Sequence, residues 1–173
     1  MLSDSGSGVV RQGRQRLEAA LKDGTARVIK GEGLTAADVG GTSDPYALVG
    51  LYKEQLWADR HKPLKDLSKK TAVKTKIIKK TLDPVWDQVL EIPITQKSLN
   101  NKCGIRVQIW DWDRASGDDF LGETAFLWSE HARQLRGSAP HQELQPRNAV
   151  KKKDDLKVQG SVQLAFAWRP DEH

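Results

Sequence analysis

Trp110-Asp111-Trp112-Asp113-Arg114-Ala115-Ser116-Gly117-Asp118-Asp119-Phe120-Leu121-Gly122 reads as the end of a strand that turns into an acidic loop. Ahead of it, Ile105, Val107 and Ile109 alternate with Arg106 and Gln108, the period-two pattern of a half-buried strand. Asp111 and Asp113 keep the parity of the apolar set, so their carboxylates lean to one side. Asp119 returns after the Ser116-Gly117 turn signal. Carboxylates gathered in one place lose hydration and repel one another unless a cation lies between them. A hard oxygen set of this kind suits Ca²⁺, which takes about 6–8 oxygens at roughly 2.3–2.6 Å.

A second acidic loop lies far upstream. Asp38 and Asp44 flank Val39-Gly40-Gly41-Thr42-Ser43, and the two glycines let the backbone curl so that both carboxylates face one point. If a sandwich brings both loops to one end, Asp38, Asp44, Asp111, Asp113 and Asp119 make room for two or three Ca²⁺ ions sharing bridging carboxylates. The rest of the chain is basic: the formal net charge is +5, and Lys69–Lys80 concentrates lysine. Such an excess suggests an anionic partner, either nucleic acid or an acidic membrane surface.

The intervening chain is β-rich. Strand patterns run over Thr25–Lys30, Asp44–Leu51, Lys69–Lys80, Val85–Ile94, Ile105–Trp110, Phe120–Trp128 and Gly160–Trp168. Lys74 and Lys76 share one face of the third, roughly 7 Å apart. Residues 53–69 read as an inserted loop with at most a helical turn, Ser129–Arg136 as a short helix within a connection, and 137–159 as a polar loop. These strands predict an all-β antiparallel sandwich over 25–170. Residues 1–24 form a tail, partly helical; Val9–Lys22 reads either as a surface helix stopped by Asp23-Gly24 or as an extra edge strand turned there. Met1–Gly8 lacks the basic-then-apolar order of a secretory signal, no apolar run is long enough to span a membrane, and Cys103 is the sole cysteine, which fits a reducing cytoplasmic setting.

Three segments carry a family resemblance: Asp38–Tyr46, then Thr81-Leu82-Asp83-Pro84-Val85-Trp86, then Trp110–Asp113 with Asp119–Gly122. In this order and spacing they resemble the signature segments of the C2 domain, with the first and third similar to the Ca²⁺-binding loops of synaptotagmin and conventional protein kinase C domains. The resemblance implies an eight-stranded antiparallel Greek-key sandwich. Seven strands are visible from Thr25, so residues 14–22 supply the eighth or the chain is a fragment of a longer protein. The resemblance also implies Ca²⁺-dependent docking on anionic phospholipid, with the five aspartates as ligands. The carbonyls of Ala37 and Trp112 and the Ser116 side chain would be auxiliary ligands. Val39 matches a membrane-inserting tip and Arg114 a basic residue beside it. Tyr46, Lys74, Lys76 and Trp110 match a phosphoinositide-contacting set, although Ala72 stands where close relatives have lysine and Asp118 where asparagine is common.

The expected function is therefore Ca²⁺-dependent, peripheral association with anionic or phosphoinositide-bearing membranes, by a cytoplasmic domain that joins them as Ca²⁺ rises. The alternative is a Ca²⁺-regulated protein-interaction module of a larger signalling or trafficking protein. Catalysis is not expected, because no His, Cys or Lys falls in either acidic loop to serve as base or nucleophile. Nucleic acid is not expected either, because the lysines of 69–80 have no aromatic residues interleaved among them for stacking.

Overall fold

The computed structural model describes residues 25–53, 57, 64–92, 103–126, 141–147 and 157–167. They build two four-stranded antiparallel sheets. The strands are β1 (Thr25–Glu32), β2 (Pro45–Lys53), β3 (Val73–Lys74), β4 (Val85–Glu91), β5 (Cys103–Asp111), β6 (Asp119–Phe126), β7 (His141–Glu143) and β8 (Ser161–Ala167). One sheet has the order β4-β1-β8-β7 and the other β3-β2-β5-β6. The all-β sandwich expected from the alternating patterns is the observed architecture.

Alternation explains the core. Ala26 and Val28 of β1, Ala47 and Val49 of β2, Trp86 and Leu90 of β4, Ile105, Val107 and Ile109 of β5, and Val162, Leu164 and Phe166 of β8 meet between the sheets. Phe126 packs edge-to-face on Phe166, with ring centroids 4.6 Å apart. At the start of β8, Gly160 has φ +86, and a Cβ there would stand 2.4 Å from the Glu32 carbonyl oxygen. Only glycine lets β8 begin so close to the end of β1.

The structure corrects three sequence expectations. The polar segment 137–159 contains β7, which pairs with β8 through His141↔Gln163, Gln142↔Val162 and Glu143↔Ser161. Three residues with no apolar alternation left no signal for this strand. It completes the eight-stranded count within residues 25–167, so residues 14–22 are not needed for it. The closing strand comes last and pairs antiparallel with β1. Second, the lysine-rich strand shrinks to Val73–Lys74. The buried Thr75 ends the ladder, because its hydroxyl takes the Ala47 amide at 2.9 Å and Lys76 N turns to the Gln88 side chain at 2.9 Å. A side-chain acceptor has replaced a ladder carbonyl there.

Third, the outward face of β2 and β5 is covered. Leu48, Arg106, Gln108 and Glu123 are buried although they point away from the intersheet core. Residues 64–68, part of the segment expected as an inserted loop, lie over them as a strap. Gln108 accepts the Leu67 amide at 2.9 Å and donates to Asp66 at 3.1 Å. A Cβ on Gly50 would meet Leu67 Cδ2 at 2.9 Å, so glycine lets the strap lie flat on β2. The expected helices over 9–22 and 129–136, along with Trp128 and Trp168, lie outside the described residues.

Candidate metal centre

The β2–β5 register puts Pro45 opposite Asp111. This antiparallel pairing brings the β1–β2 loop and the β5–β6 loop to the same end of the sandwich. The first loop is shaped locally. Asp38 N donates to Thr42 O at 2.9 Å and Gly41 N to Asp38 O at 3.0 Å, with Gly41 at φ 80. The buried Ser43 hydroxyl takes the Ala37 amide and donates to Thr35 O, both at 2.9 Å. The two loops are then stitched together: Asp44 N donates to Asp111 Oδ1 at 2.6 Å and Trp112 N to Asp44 O at 2.9 Å. The β3–β4 connection adds a third support, with Lys80 N donating to Asp44 Oδ1 at 2.8 Å from a left-handed φ of 55.

Carboxylate oxygens of Asp38, Asp44 and Asp111 lie within 4.8 Å of one another. Asp111 is fully buried, and its Oδ2 has no hydrogen-bond partner. Burial pushes the Asp111 pKa up to about 6; the Asp44 amide opposes this, while the charges of Asp38, Asp44 and Asp119 reinforce it. Asp119 is also raised, first by burial and then by the charges of Asp113, Asp38 and Asp118. A buried, donorless carboxylate oxygen facing two further carboxylates is an unfavourable arrangement for protein alone and a fitting one for a hard divalent cation.

Asp113 stands apart from the three-carboxylate group. Its Oδ1 accepts the Ala115 and Ser116 amides at 2.8 and 3.2 Å, and its Oδ2 accepts the Ser116 hydroxyl at 2.7 Å. Led by the Ala115 amide, these bonds hold its pKa below the usual carboxylate range. Ser116 is thus committed to Asp113, while Ala37 and Trp112 sit in the two stitched loops. Val39 is fully exposed at its loop tip, and Arg114 is exposed on the other loop.

Beside the acidic loops lies a basic face. Lys69 Nζ and Lys74 Nζ stand 5.4 and 5.3 Å from the centre of the Tyr46 ring. Tyr46 itself is fully buried, and its hydroxyl donates to Asp118 Oδ2. Burial, then the bond to Asp118, raises the Tyr46 pKa. Trp110, on the outward side with Arg106 and Gln108, is half-buried and packs edge-to-face on Phe120 at 5.4 Å; the Arg147 guanidinium lies 5.5 Å from its ring. Lys76 is exposed close by. Reading the sequence missed Lys69, Lys79 and Arg147. Lys79 Nζ lies 5.7 Å from the Trp112 ring. Only the lysine excess of 69–80 hinted at the first two, and nothing flagged Arg147.

Human RasGAP-activating-like protein 1 is 33% identical over 111 residues, which is 61% of this chain and 11% of that protein. Tricalbin-3 of Saccharomyces cerevisiae is 29% identical over 145 residues, 84% of this chain and 7% of that protein. The chain therefore spans about a tenth of these relatives. A solved, calcium-bound structure of two C2 domains of Extended-Synaptotagmin 2 matches in fold, with TM-score 0.53 and 18% identity over 81% of this chain and 42% of that one. The family description "C2 domain" matches residues 24–144, and the chain belongs to the C2 domain family.

Proposed function

We propose that this domain binds Ca²⁺ through Asp38, Asp44, Asp111, Asp113 and Asp119 and so docks on anionic phospholipid membranes. The observation that carries the reading is the convergence of Asp38, Asp44 and Asp111 around the unpartnered Asp111 Oδ2. When bound, Ca²⁺ supplies positive charge and coordination positions open to lipid phosphate or carboxylate oxygens. Two or three ions fit the number of carboxylates, with Ala37 O, Trp112 O and Ser116 as auxiliary ligands. The calcium-bound state of the fold neighbour supports the reading by analogy.

The chain's own residues set the approach. Val39, fully exposed, meets the bilayer first. Arg114 adds a cation worth about 1 kcal/mol near an anionic surface. Ala115 and Gly117 offer little to insert, so charge carries more of the docking than burial does. Among the described residues no helix is long and apolar enough to cross a membrane; association is read as peripheral, at the cytoplasmic surface.

Calorimetric titration with Ca²⁺, alone and with phosphatidylserine vesicles, tests the proposal. Melting rises with Ca²⁺ because only the folded loops bind it, by about 2.7 kcal/mol at a hundredfold excess over Kd. The pH dependence has a definite sign. The folded Asp111 pKa is raised, so protonation stabilises the metal-free fold below about 4, and that contribution is lost as pH rises through about 6. Ca²⁺ needs the ionised form. Its stabilisation is therefore about half as large at pH 5 as at pH 7.5 at that excess, and equal melting shifts at the two pH values would count against Asp111 as a ligand. Ca²⁺ binding without vesicle association would leave the protein-interaction module instead.

Lys74 and Lys76 are the phosphoinositide contacts on this reading, joined by Lys69. Buried Tyr46 lies under Lys69 and Lys74, and half-buried Trp110 is paired with Tyr46 across β2 and β5. Lys74→Ala with Lys76→Ala lowers affinity for phosphoinositide vesicles by about tenfold or more and leaves Ca²⁺ affinity in solution unchanged. An equal loss on phosphatidylserine vesicles would reduce the two lysines to general charge.

A further inference from the structure

The basic face holds an anion of its own. Asp118 Oδ2 accepts from Lys69 Nζ at 2.6 Å and from the Tyr46 hydroxyl, while Oδ1 accepts the Asp113 amide at 3.0 Å. The Asp118 side chain is only 10% exposed, whereas Lys69 is 57% exposed. A lysine ammonium at 2.6 Å and two further donors hold the carboxylate as an anion. It accepts from the hydroxyl of a tyrosine whose ring two lysines approach to 5.4 and 5.3 Å. Lys69 and Lys74 are exposed to solvent, and Lys69 is tied to a carboxylate that is nearly buried.

We propose that Asp118 is a specificity-determining residue, an internal counter-anion that competes with phosphomonoester headgroups of membrane lipids for Lys69. This deepens, and rests on, the membrane reading of the basic face. An external phosphate approaching the lysines meets a fixed negative charge, and it gains Lys69 only by sharing it with Asp118 or breaking a 2.6 Å ion pair. The face is thereby kept weak toward anionic lipid on its own, which leaves recruitment to the metal loops. Asparagine at 118 removes the charge, keeps its oxygen for the Asp113 amide, and puts an NH2 in place of Oδ2 that donates to the Tyr46 hydroxyl oxygen.

The test is a double-mutant cycle in excess chelator, using phosphatidylcholine vesicles with and without a bisphosphorylated phosphatidylinositol, alongside soluble inositol trisphosphate. Asp118→Asn is expected to raise vesicle affinity about fivefold, the effect of one elementary charge near the surface. Lys69→Ala costs little in the wild type, where Asp118 already neutralises the lysine, and removes the gain in the Asp118→Asn background. No gain from Asp118→Asn, or a gain that survives Lys69→Ala, overturns the proposal. A gain on soluble inositol trisphosphate that vesicles do not share assigns the site to free phosphates and overturns the membrane form. Melting curves confirm each variant folded; should Asp118→Asn not fold, Lys69→Ala alone decides, since a full fivefold loss in the wild type shows that Lys69 was never neutralised. A parallel arm with Ca²⁺ separates the readings: wild type that fails to bind there sinks the membrane reading, whereas equal binding of wild type and Asp118→Asn in chelator, with the Ca²⁺ arm intact, sinks only this one.

Discussion

Glu123→Ala lowers the stability of the domain by about 3–5 kcal/mol, read as a drop in the urea midpoint. Arg106 lies on β5 and Glu123 on β6, diagonal to each other in a register that pairs Arg106 with Ala125 and Gln108 with Glu123. Their contact is bidentate: Arg106 Nε reaches Glu123 Oε2 at 2.7 Å and NH2 reaches Oε1 at 3.2 Å. The side chains are 2% and 0% exposed. Arg106 NH1 also donates to Lys65 O at 2.6 Å, which anchors the strap. Removing Glu123 leaves a guanidinium in a low-dielectric site with one carbonyl to satisfy it, and the desolvation cost of that orphaned charge is the main penalty. Replacing the pair together, Arg106→Met with Glu123→Leu, recovers most of the loss because no charge is stranded. Among the described residues the strap then keeps its bonds to Gln108 and the Asp66–Arg147 pair at 2.9 Å. Faster hydrogen exchange at the Leu67 amide is the expected signature. A double variant as unstable as Glu123→Ala would mean that strap anchoring, not charge burial, dominates.

That pair also marks the limit of what the sequence made legible. Every strand whose apolar residues alternate was readable, because one face of each meets the intersheet core: Ile105, Val107 and Ile109 announced β5, and Val162, Leu164 and Phe166 announced β8. Arg106 and Gln108 looked like the wet side of β5. They are dry because the strap covers them, and a strap of mixed polarity has no periodicity to read. β7 was hidden for the same reason, as three polar residues held by pairing to β8 rather than by their own pattern. At the acidic loops, residue type and spacing pointed to five aspartates together, and the fold is what brings carboxylate oxygens of Asp38, Asp44 and Asp111 within 4.8 Å of one another. The sequence could not show that Asp113 satisfies itself within its loop, because that depends on where the Ala115 and Ser116 amides point. It flagged Asp118 only as an added negative charge. Pairing of that carboxylate with Lys69 spans 49 residues and is a product of the fold.

Asp111→Asn with Asp113→Asn abolishes Ca²⁺-dependent sedimentation with phosphatidylserine vesicles, and it does so without weakening the metal-free fold. The two halves of this expectation have one cause. Ionised Asp111 is buried among like charges, and its rise from an ordinary 3.8 to about 6 amounts to on the order of 3 kcal/mol against the charged form at neutral pH. Asparagine keeps an oxygen for the Asp44 amide and turns an N–H pair toward Asp38 and Asp44, so a repulsion becomes hydrogen bonding. The metal-free variant therefore melts at or above the wild type. What it loses is the charge that made the site unfavourable when empty of cation, and the same charge is what a hard cation is attracted to. On the proposed reading, function depends on repulsion retained in the unliganded loops. Asp113→Asn contributes differently: it weakens the acceptor for the Ala115 and Ser116 amides, so by itself it loosens the loop tip rather than relieving the buried cluster. Melting curves of the two single variants and the pair, each in chelator and in millimolar Ca²⁺, separate these effects. A pair that still gains stability from Ca²⁺ would place the ion elsewhere. A metal-free Asp111→Asn that melts well below the wild type would mean that the Asp44–Asp111 bond needs a full carboxylate, and that the buried charge is a structural requirement first.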